Sequence, residues 1–593
     1  MPPVRSLVPA LVVVALVAGT LGAQQPKIYW ADDVPKGWTG KWPAKYLTVA
    51  EKTNYTRTMT SVDLLEFVDT LKWNSENLHV FTVFTSAVNR VQAPAIVLAN
   101  PRVTSAAEAQ KTGKPVIYLQ GNIHPPEPEG AEAMLMVIRD ILFGTRKHLL
   151  DNQILIFCPI FNVDGTDSLA LQDGTPHIAG VRSNAAGFDL NRDGVKLETM
   201  EVNALYQNVL NRWDPVLFFD AHLMGRVRHG YANAYTTSMV PAAHPAPREY
   251  VWDTLFPAVR EGVRRDFGLE VFTHAGANDT WPPTVWSADN AIWSVEAKFV
   301  VADYGLRNRM AILTETPGHP TFERRIYAHY AYTLSLLEYT NAHGRQMQKI
   351  CRDADQEVVA KVKAQAESGK LRNWVEGKYE SRGQIDLLHY RTNEAAYLPG
   401  TSVRGNKPGT ASGPPELVRG VDDLTKPVGT KDAWMPRGYL LPAEMKDVAA
   451  KLRTHNIKVT ILDKPMKVVG EEFVVDRMAK RNNMTRLEGG FFAQAAREFP
   501  AGSFFVDMAQ PMANAAFYYL EPQSMDGFVG WGVLDQALKA LGVEAHPVVY
   551  PVFKMRTEVK PGTQGGPSGP PSRRAFRLVA ASPYFLSGLR NRR

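Results

Sequence analysis

Apolar positions along this chain fall into two rhythms, one with the spacing of helices and one of short unbroken runs. Thr60 and Asp63 form a capping-box pattern that opens a helical stretch, VDLLEFVDTLKW, and the runs HVFTVF and PAIVLAN after it read as strands. An alternation then sets in. PVIYLQG precedes the helical pattern EGAEAMLMVIRDILFG, and ILIFCPIF follows it. The helical stretch ETMEVNALYQNVLNRW leads into PVLFFDAH, and MAILTETPG ends before a long helix beginning ERRIYAHYAYTLSLLEYTNAH. Continuous apolar strands between amphipathic helices predict an α/β fold, a mostly parallel or mixed sheet flanked by helices on both faces.

The rhythm changes near residue 345. A charged helix is expected to about Glu367, and residues 399–437, rich in Gly, Pro and Thr, read as a linker or a lid-like loop. A second apolar region follows. YLLPAEMKDVAAKLRTHNIKVTIL reads as strand, helix, strand, and GSFFVDMAQPMANAAFYYLEP as another strand and helix, which predicts a smaller α/β or α+β unit. KPGTQGGPSGPPSRR near residues 560–574 reads as a loop or linker. The expected division is residues 1–23, 24–345, 346–437 and 438–593.

Residues 1–23 carry one cation, Arg5, then an apolar stretch too short to span a bilayer, then small residues ending at Ala23. They are expected to be a signal peptide cleaved after Ala23, which places the protein outside the cell or in a periplasm with no membrane span left. The composition is 45% hydrophobic and 21% charged with a net charge of +7, and no basic run is interleaved with aromatics, so nucleic acid is not an expected partner. Of the two cysteines, Cys158 lies inside an apolar strand run and is expected in the core, with no disulfide to Cys351. The oligomeric state is not legible.

Reactive side chains gather where the apolar strands stop. PVIYLQGNI ends at His124 and Glu127, PVLFFDA at His222 and MAILT at Glu315. In an open parallel sheet these carboxyl ends form one crevice. His124, Glu127 and His222 are the two imidazoles and one carboxylate that suit a catalytic Zn²⁺ with one position left open, and the two prolines of HPPE stiffen the turn between the first two. A carboxylate at Glu315, ending an apolar strand, is expected to be partly desolvated and raised in pKa.

HPPE, then GVRSNAAGFDLNRD at 180–193, DAH at 220–222 and TETPGH at 314–319 follow one another in an order that resembles the M14 zinc carboxypeptidases related to carboxypeptidase A. The resemblance covers about residues 43–345. It implies one zinc on His124, Glu127 and His222, with Glu315 as the catalytic carboxylate and Arg182 polarising the scissile carbonyl. It also implies Asn191 and Arg192 on the terminal carboxylate of a peptide or protein substrate, and Asp189 behind a zinc-bound histidine. The sequence departs from the digestive relatives in having two prolines inside HPPE where they carry an arginine, so their subsite preferences do not transfer. Tyr231, Tyr235 and Tyr304 lie in the interval where those relatives place a mobile tyrosine, though each is more readily a packed or surface residue, and NDTWPPTVWSADNAIW in the same interval is either a pocket wall or a packed loop. His229 is expected to face solvent and His319 to stabilise a turn. PRGYLLPAE and AQPMANAAFYYLEP resemble the tails of some secreted bacterial members and carry no reactive set.

The implied function is a secreted zinc metallocarboxypeptidase. The alternatives are a zinc amidase or endopeptidase acting on cell-wall peptides or acyl-amino acids, and a binding protein that kept the fold without turnover.

Overall fold

The computed structural model describes residues 26–559 apart from 169–179, 225–226, 228, 292–294, 319, 392–413, 482–483 and 543–546. The expected signal peptide, His319 and the 560–574 segment lie outside the described residues. Among those described, no helix is long and apolar enough to cross a membrane.

The alternation read from the sequence builds the central sheet. Its strands are β1 (Leu78–Thr85), β2 (Gln92–Leu98), β3 (Val116–Gly121), β4 (Ile154–Cys158), β5 (Leu217–Met224), β6 (Asn233–Thr236) and β7 (Val271–Thr273). After the short β8 (Gly276–Ala277) and β9 (Val285–Ser287) comes β10 (Met310–Pro317), and the sheet order is β1-β2-β4-β3-β5-β10-β6-β7. The four central strands β4, β3, β5 and β10 are parallel, and antiparallel neighbours flank them, so the sheet is mixed. Every residue of β3, β4 and β5 is buried, which is why these strands read as unbroken apolar runs. The steps β3 to β4 and β4 to β5 move in opposite directions across the sheet, so right-handed crossovers put their helices on opposite faces. Cys158 and Cys351 are both free and buried.

The long helix is one element, Phe322–Gln365, whose apolar first half and charged second half made it look like two. The expected linker over 399–437 needs correction where it is described. Residues 416–434 form β13 (Glu416–Leu424) and β14 (Lys426–Trp434), preceded by β11 (Arg372–Glu380) and β12 (Gln384–His389). β14 pairs with β11, and β13 lies between β12 and β9. The signal was masked because the inward residues Val418 and Val421 are three apart, where the ladder to β12 shifts register between Ile385 and Leu387.

The C-terminal part has the expected β15 (Gly438–Leu441), helix Lys446–Thr454, short β16 (Thr460–Ile461), β19 (Phe504–Asp507) and helix Ala513–Leu520. Between them stands an unforeseen hairpin of two 16-residue strands, β17 (Met466–Arg481) and β18 (Met484–Phe499), and β20 (Val548–Val549) and β21 (Phe553–Glu558) complete the sheet.

This part shares one hydrophobic cluster with the central sheet, and the two meet at a buried carboxyl. Tyr206 and Tyr519 each donate a hydrogen bond to Asp303 at 2.5 Å. Burial outweighs these bonds and the Arg307 charge and pushes the Asp303 carboxyl up to about 7. The folded chain therefore holds a proton at Asp303 between about pH 4 and 7 that the unfolded chain releases, so this group's contribution to stability falls as pH rises through that window, by at most about 1.4 kcal/mol per pH unit. Asp303→Asn cannot titrate. Its melting temperature relative to the parent is expected to climb between pH 5 and 8, and a flat difference in paired thermal melts would contradict the assignment.

Candidate metal centre and active site

β3 delivers the first two site residues. After Gly121 the backbone turns at Asn122 (φ 54°), and the Glu127 amide donates to the His124 carbonyl at 2.9 Å, closing the HPPE turn that Pro125 and Pro126 stiffen. The helix Glu129–Phe143 starts at once and seats on β5. A Cβ at Gly130 would stand 2.3 Å from the Cβ of Ala221, the residue between Asp220 and His222, so only glycine permits this approach.

β5 and β10 set the rest by register. Glu315 is the direct cross-strand partner of His222 in the parallel pair, so both side chains project from the same face at adjacent positions. Arg325 fixes the turn after Glu315. It binds Glu129 Oε1 at 2.6 Å and donates to the carbonyls of Gly318 and Pro320.

His124, Glu127 and His222 come together with one ligand atom of each within 4.8 Å of the others. His124 Nε2 meets Asp189 Oδ1 at 2.9 Å, and its Nδ1, 3.1 Å from Glu127 Oε1, is buried without a hydrogen bond. His222 is arranged alike, with Nε2 3.0 Å from Asp220 Oδ2 and Nδ1 2.9 Å from Glu127 Oε2. Each ring is thus held by a carboxylate at one nitrogen and turns the other toward Glu127, the arrangement that fixes tautomer and raises basicity in metal-binding histidines.

The electrostatics agree with a cation site. Burial would raise the Glu127 carboxyl, but the adjacent His124 ring and the hydrogen bond and charge of His222 hold it well below the usual range. Burial would lower His222, yet Asp220 and Glu127 raise it well above the ordinary histidine value. Burial likewise opposes the ionised form of Asp189 and is outweighed by the hydrogen bond and charge of His124, with Arg182 and Arg192 adding to them. Three carboxylates around two imidazoles with an orphaned lone pair fit a dication.

Glu315 is half-buried, and its Oε2 has no hydrogen-bond partner. Burial pushes its carboxyl up to about 8, with His222 opposing and Glu127 adding to the rise. Arg182 stands at the rim, its side chain 39% exposed, donating to Glu127 Oε1 at 3.1 Å and Asp189 Oδ2 at 3.0 Å. Arg192 stacks its guanidinium on Phe299 at 4.6 Å and donates to the Asn191 carbonyl.

The segment carrying HPPE, DLNR and DAH is decisive, because residues 64–238 match the family model of the zinc carboxypeptidases. That match makes the segment similar to the zinc carboxypeptidases. The match and the relatives named carboxypeptidase support a peptidase enzyme. Carboxypeptidase 2 of Trichophyton equinum is 22% identical over 491 residues, 76% of this chain and 78% of that protein. The protein of the same name from Trichophyton rubrum is 23% identical over 489 residues, 76% of this chain and 79% of that one. Among solved structures, the carboxypeptidase A of Helicoverpa armigera aligns at 15% identity and a TM-score of 0.36 over 48% of this chain and 74% of its own.

The structure gives the surroundings of several other residues named from the sequence. Asn191, expected on the substrate carboxylate, is buried and braced inward. Its Oδ1 accepts from the Val300 amide at 3.1 Å and its Nδ2 lies 3.4 Å from His222 Nε2. All three tyrosines are packed. Tyr231 accepts from the Leu388 amide and stacks on Phe272, Tyr235 packs on Phe256, and Tyr304 donates to the Pro215 carbonyl. His229 is buried against Tyr231 and Trp286 rather than solvent-facing, because β12 covers it.

Two supporting residues escaped the sequence reading. Asp220 had a signal, since residues i and i+2 of a strand share a face and DAH therefore aims Asp220 and His222 together. His329, whose Nε2 lies 3.0 Å from the His222 carbonyl, had none, being one apolar-face position of a long helix.

Proposed function

We propose that this chain is a secreted zinc metallocarboxypeptidase that removes residues one at a time from peptide C-termini. The observation that carries the reading is a pair of buried atoms without hydrogen-bond partners, His124 Nδ1 in the three-donor cluster and Glu315 Oε2 on the strand beside His222. His124, Glu127 and His222 would hold the ion, and Asp189 and Asp220 would orient the two rings. Bound there, zinc supplies polarisation of a carbonyl and acidification of water. Glu315 accepts the proton of the attacking water at Oε2 and returns it to the leaving amine. Its raised pKa makes it a competent acid in the second step. Arg182 donates to the carbonyl oxygen as negative charge develops on it.

Arg192 binds the substrate's terminal carboxylate through its planar guanidinium, and that anchor leaves the last peptide bond over the cluster. The name carboxypeptidase 2 carried by the fungal relatives supports this choice. The N-terminal pattern of residues 1–23 supports export. We read residues 24–345 as the catalytic part, with the region after 438 in a separate role.

Truncating Arg192 removes a charge-assisted contact, so Arg192→Ala is expected to raise KM for a peptide with a free carboxyl end roughly tenfold to a hundredfold, with a smaller effect on kcat. Michaelis kinetics on a single such peptide decide it, and an unchanged KM counts against the carboxylate anchor.

A further inference from the structure

His274, in the residues after β7, has a buried ring with one nitrogen unspent. It is 5% exposed, and its Nδ1 has no hydrogen-bond partner. The ring hydrogen-bonds to the backbone carbonyl of Ala291, and with Nδ1 unpartnered that bond comes from Nε2. A proton held at Nε2 leaves a lone pair on Nδ1. Burial lowers the ring to about 4, with the Ala291 bond opposing and the His222 charge adding to the fall, so the imidazole is neutral near pH 7 and Nδ1 can only accept.

Register places this ring on the crevice face of the sheet. β6 sets Ala234 beside Glu315 and Thr236 beside Leu313, and β7 sets Phe272 beside Ala234 and Thr273 beside Tyr235. The His274 amide donates to the Tyr235 carbonyl at 2.7 Å and carries that ladder one residue further. His274 therefore stands in the row of Thr236, Leu313 and Asp220. That row shares its face with Glu315 and His222 and lies two residues deeper, about 7 Å into the sheet. The His222 charge felt at the ring agrees with this placement.

The helix Val300–Gly305 covers the same face. At its start Asn191 links the Val300 amide to His222 Nε2, at 3.1 and 3.4 Å. Further along, Ser238, two residues after Thr236, donates to the Ala302 carbonyl at 2.7 Å. Phe299, immediately before the helix, carries the Arg192 guanidinium at 4.6 Å. A substrate with its terminal carboxylate at Arg192 and its last peptide carbonyl at the metal cluster spans the mouth between sheet and helix. The side chain between those two groups then points down the row face toward His274.

We propose that His274 selects the residue to be removed, accepting at Nδ1 a hydrogen bond from a C-terminal side chain whose donor lies at its far end, tyrosine above all. This role presupposes the carboxypeptidase function proposed above. A phenol hydroxyl stands far enough from its Cα to reach two residues down the sheet, whereas a serine or threonine hydroxyl does not. Phenylalanine would fill the same space and leave the lone pair without a donor, and glutamate would set one lone pair against another.

Two substrates that differ by one oxygen test it. The zinc-loaded full chain is given acetyl-Ala-Ala-Tyr and acetyl-Ala-Ala-Phe, and the released amino acid is quantified. kcat/KM for the tyrosine peptide is expected to exceed that for the phenylalanine peptide at least about tenfold. His274→Leu should bring the two values to within about twofold of each other by losing rate on tyrosine alone, with zinc content unchanged. Calorimetric binding of both peptides to the zinc-loaded Glu315→Gln protein reads the same preference without turnover and should show it. Equal rates on the two peptides with the parent, or a preference that survives in a folded His274→Leu protein, would overturn the role of His274 and leave the function standing. Release of neither amino acid would overturn the function and this role with it.

Discussion

A Glu315→Gln protein is expected to lose about a thousandfold in kcat on a C-terminal peptide substrate while keeping its fold and its zinc content. The amide fills nearly the same volume as the carboxylate, and the β5–β10 register that sets Glu315 beside His222 does not depend on its charge. What disappears is the only function open to Oε2, an oxygen with no hydrogen-bond partner in the folded chain. In the proposed mechanism the half-buried carboxyl, raised to about 8, would accept a proton and give it back near neutral pH, and a dication held by His222 and Glu127 would pull that value down toward the working range. Circular dichroism and metal analysis establish that the variant is intact, and steady-state kinetics measure the loss. A decrease of less than tenfold would remove Glu315 from the proton transfers.

Metal removal should have an effect at least as large. Dialysis against a strong chelator is expected to bring hydrolysis to background and to lower the melting temperature, because Glu127, Asp189 and Asp220 were all turned toward two imidazoles in one buried volume. One equivalent of zinc should restore both. His222→Ala should bind zinc far more weakly and stay inactive after zinc is added back, since the removed ring supplies one of only three donors in the cluster. A chelated protein that kept its activity would rule out the three-residue cluster as a metal centre.

The three-donor cluster and the neighbouring Glu315 were legible in the sequence because they sit where apolar runs end, and a parallel sheet gathers such ends at one edge. His124 and Glu127 follow PVIYLQG, and His222 and Glu315 end PVLFFDAH and MAILTE. The substrate side was less legible. Asn191 and Arg192 are sequence neighbours, yet one turns inward to the Val300 amide and the other stacks on Phe299 at the surface, a divergence set by the short helical turn Leu190–Arg192. Tyr231, Tyr235 and Tyr304 all lie in the right interval, and all are buried, because sequence distance carries no information on packing. The β11–β14 and β17–β18 pairs were missed for related reasons. Register shifts break the alternation of two in both, and β17 and β18 put many charged residues on exposed faces.

The most direct measurement pairs two peptides of one sequence, one with a free carboxyl end and one amidated, with the zinc-loaded protein and mass-spectrometric detection of products. Stepwise loss of single C-terminal residues from the free peptide alone is the predicted result. Internal cleavage of both peptides would contradict it, because the proposed Arg192 anchor beside the metal cluster would leave only the last bond within reach.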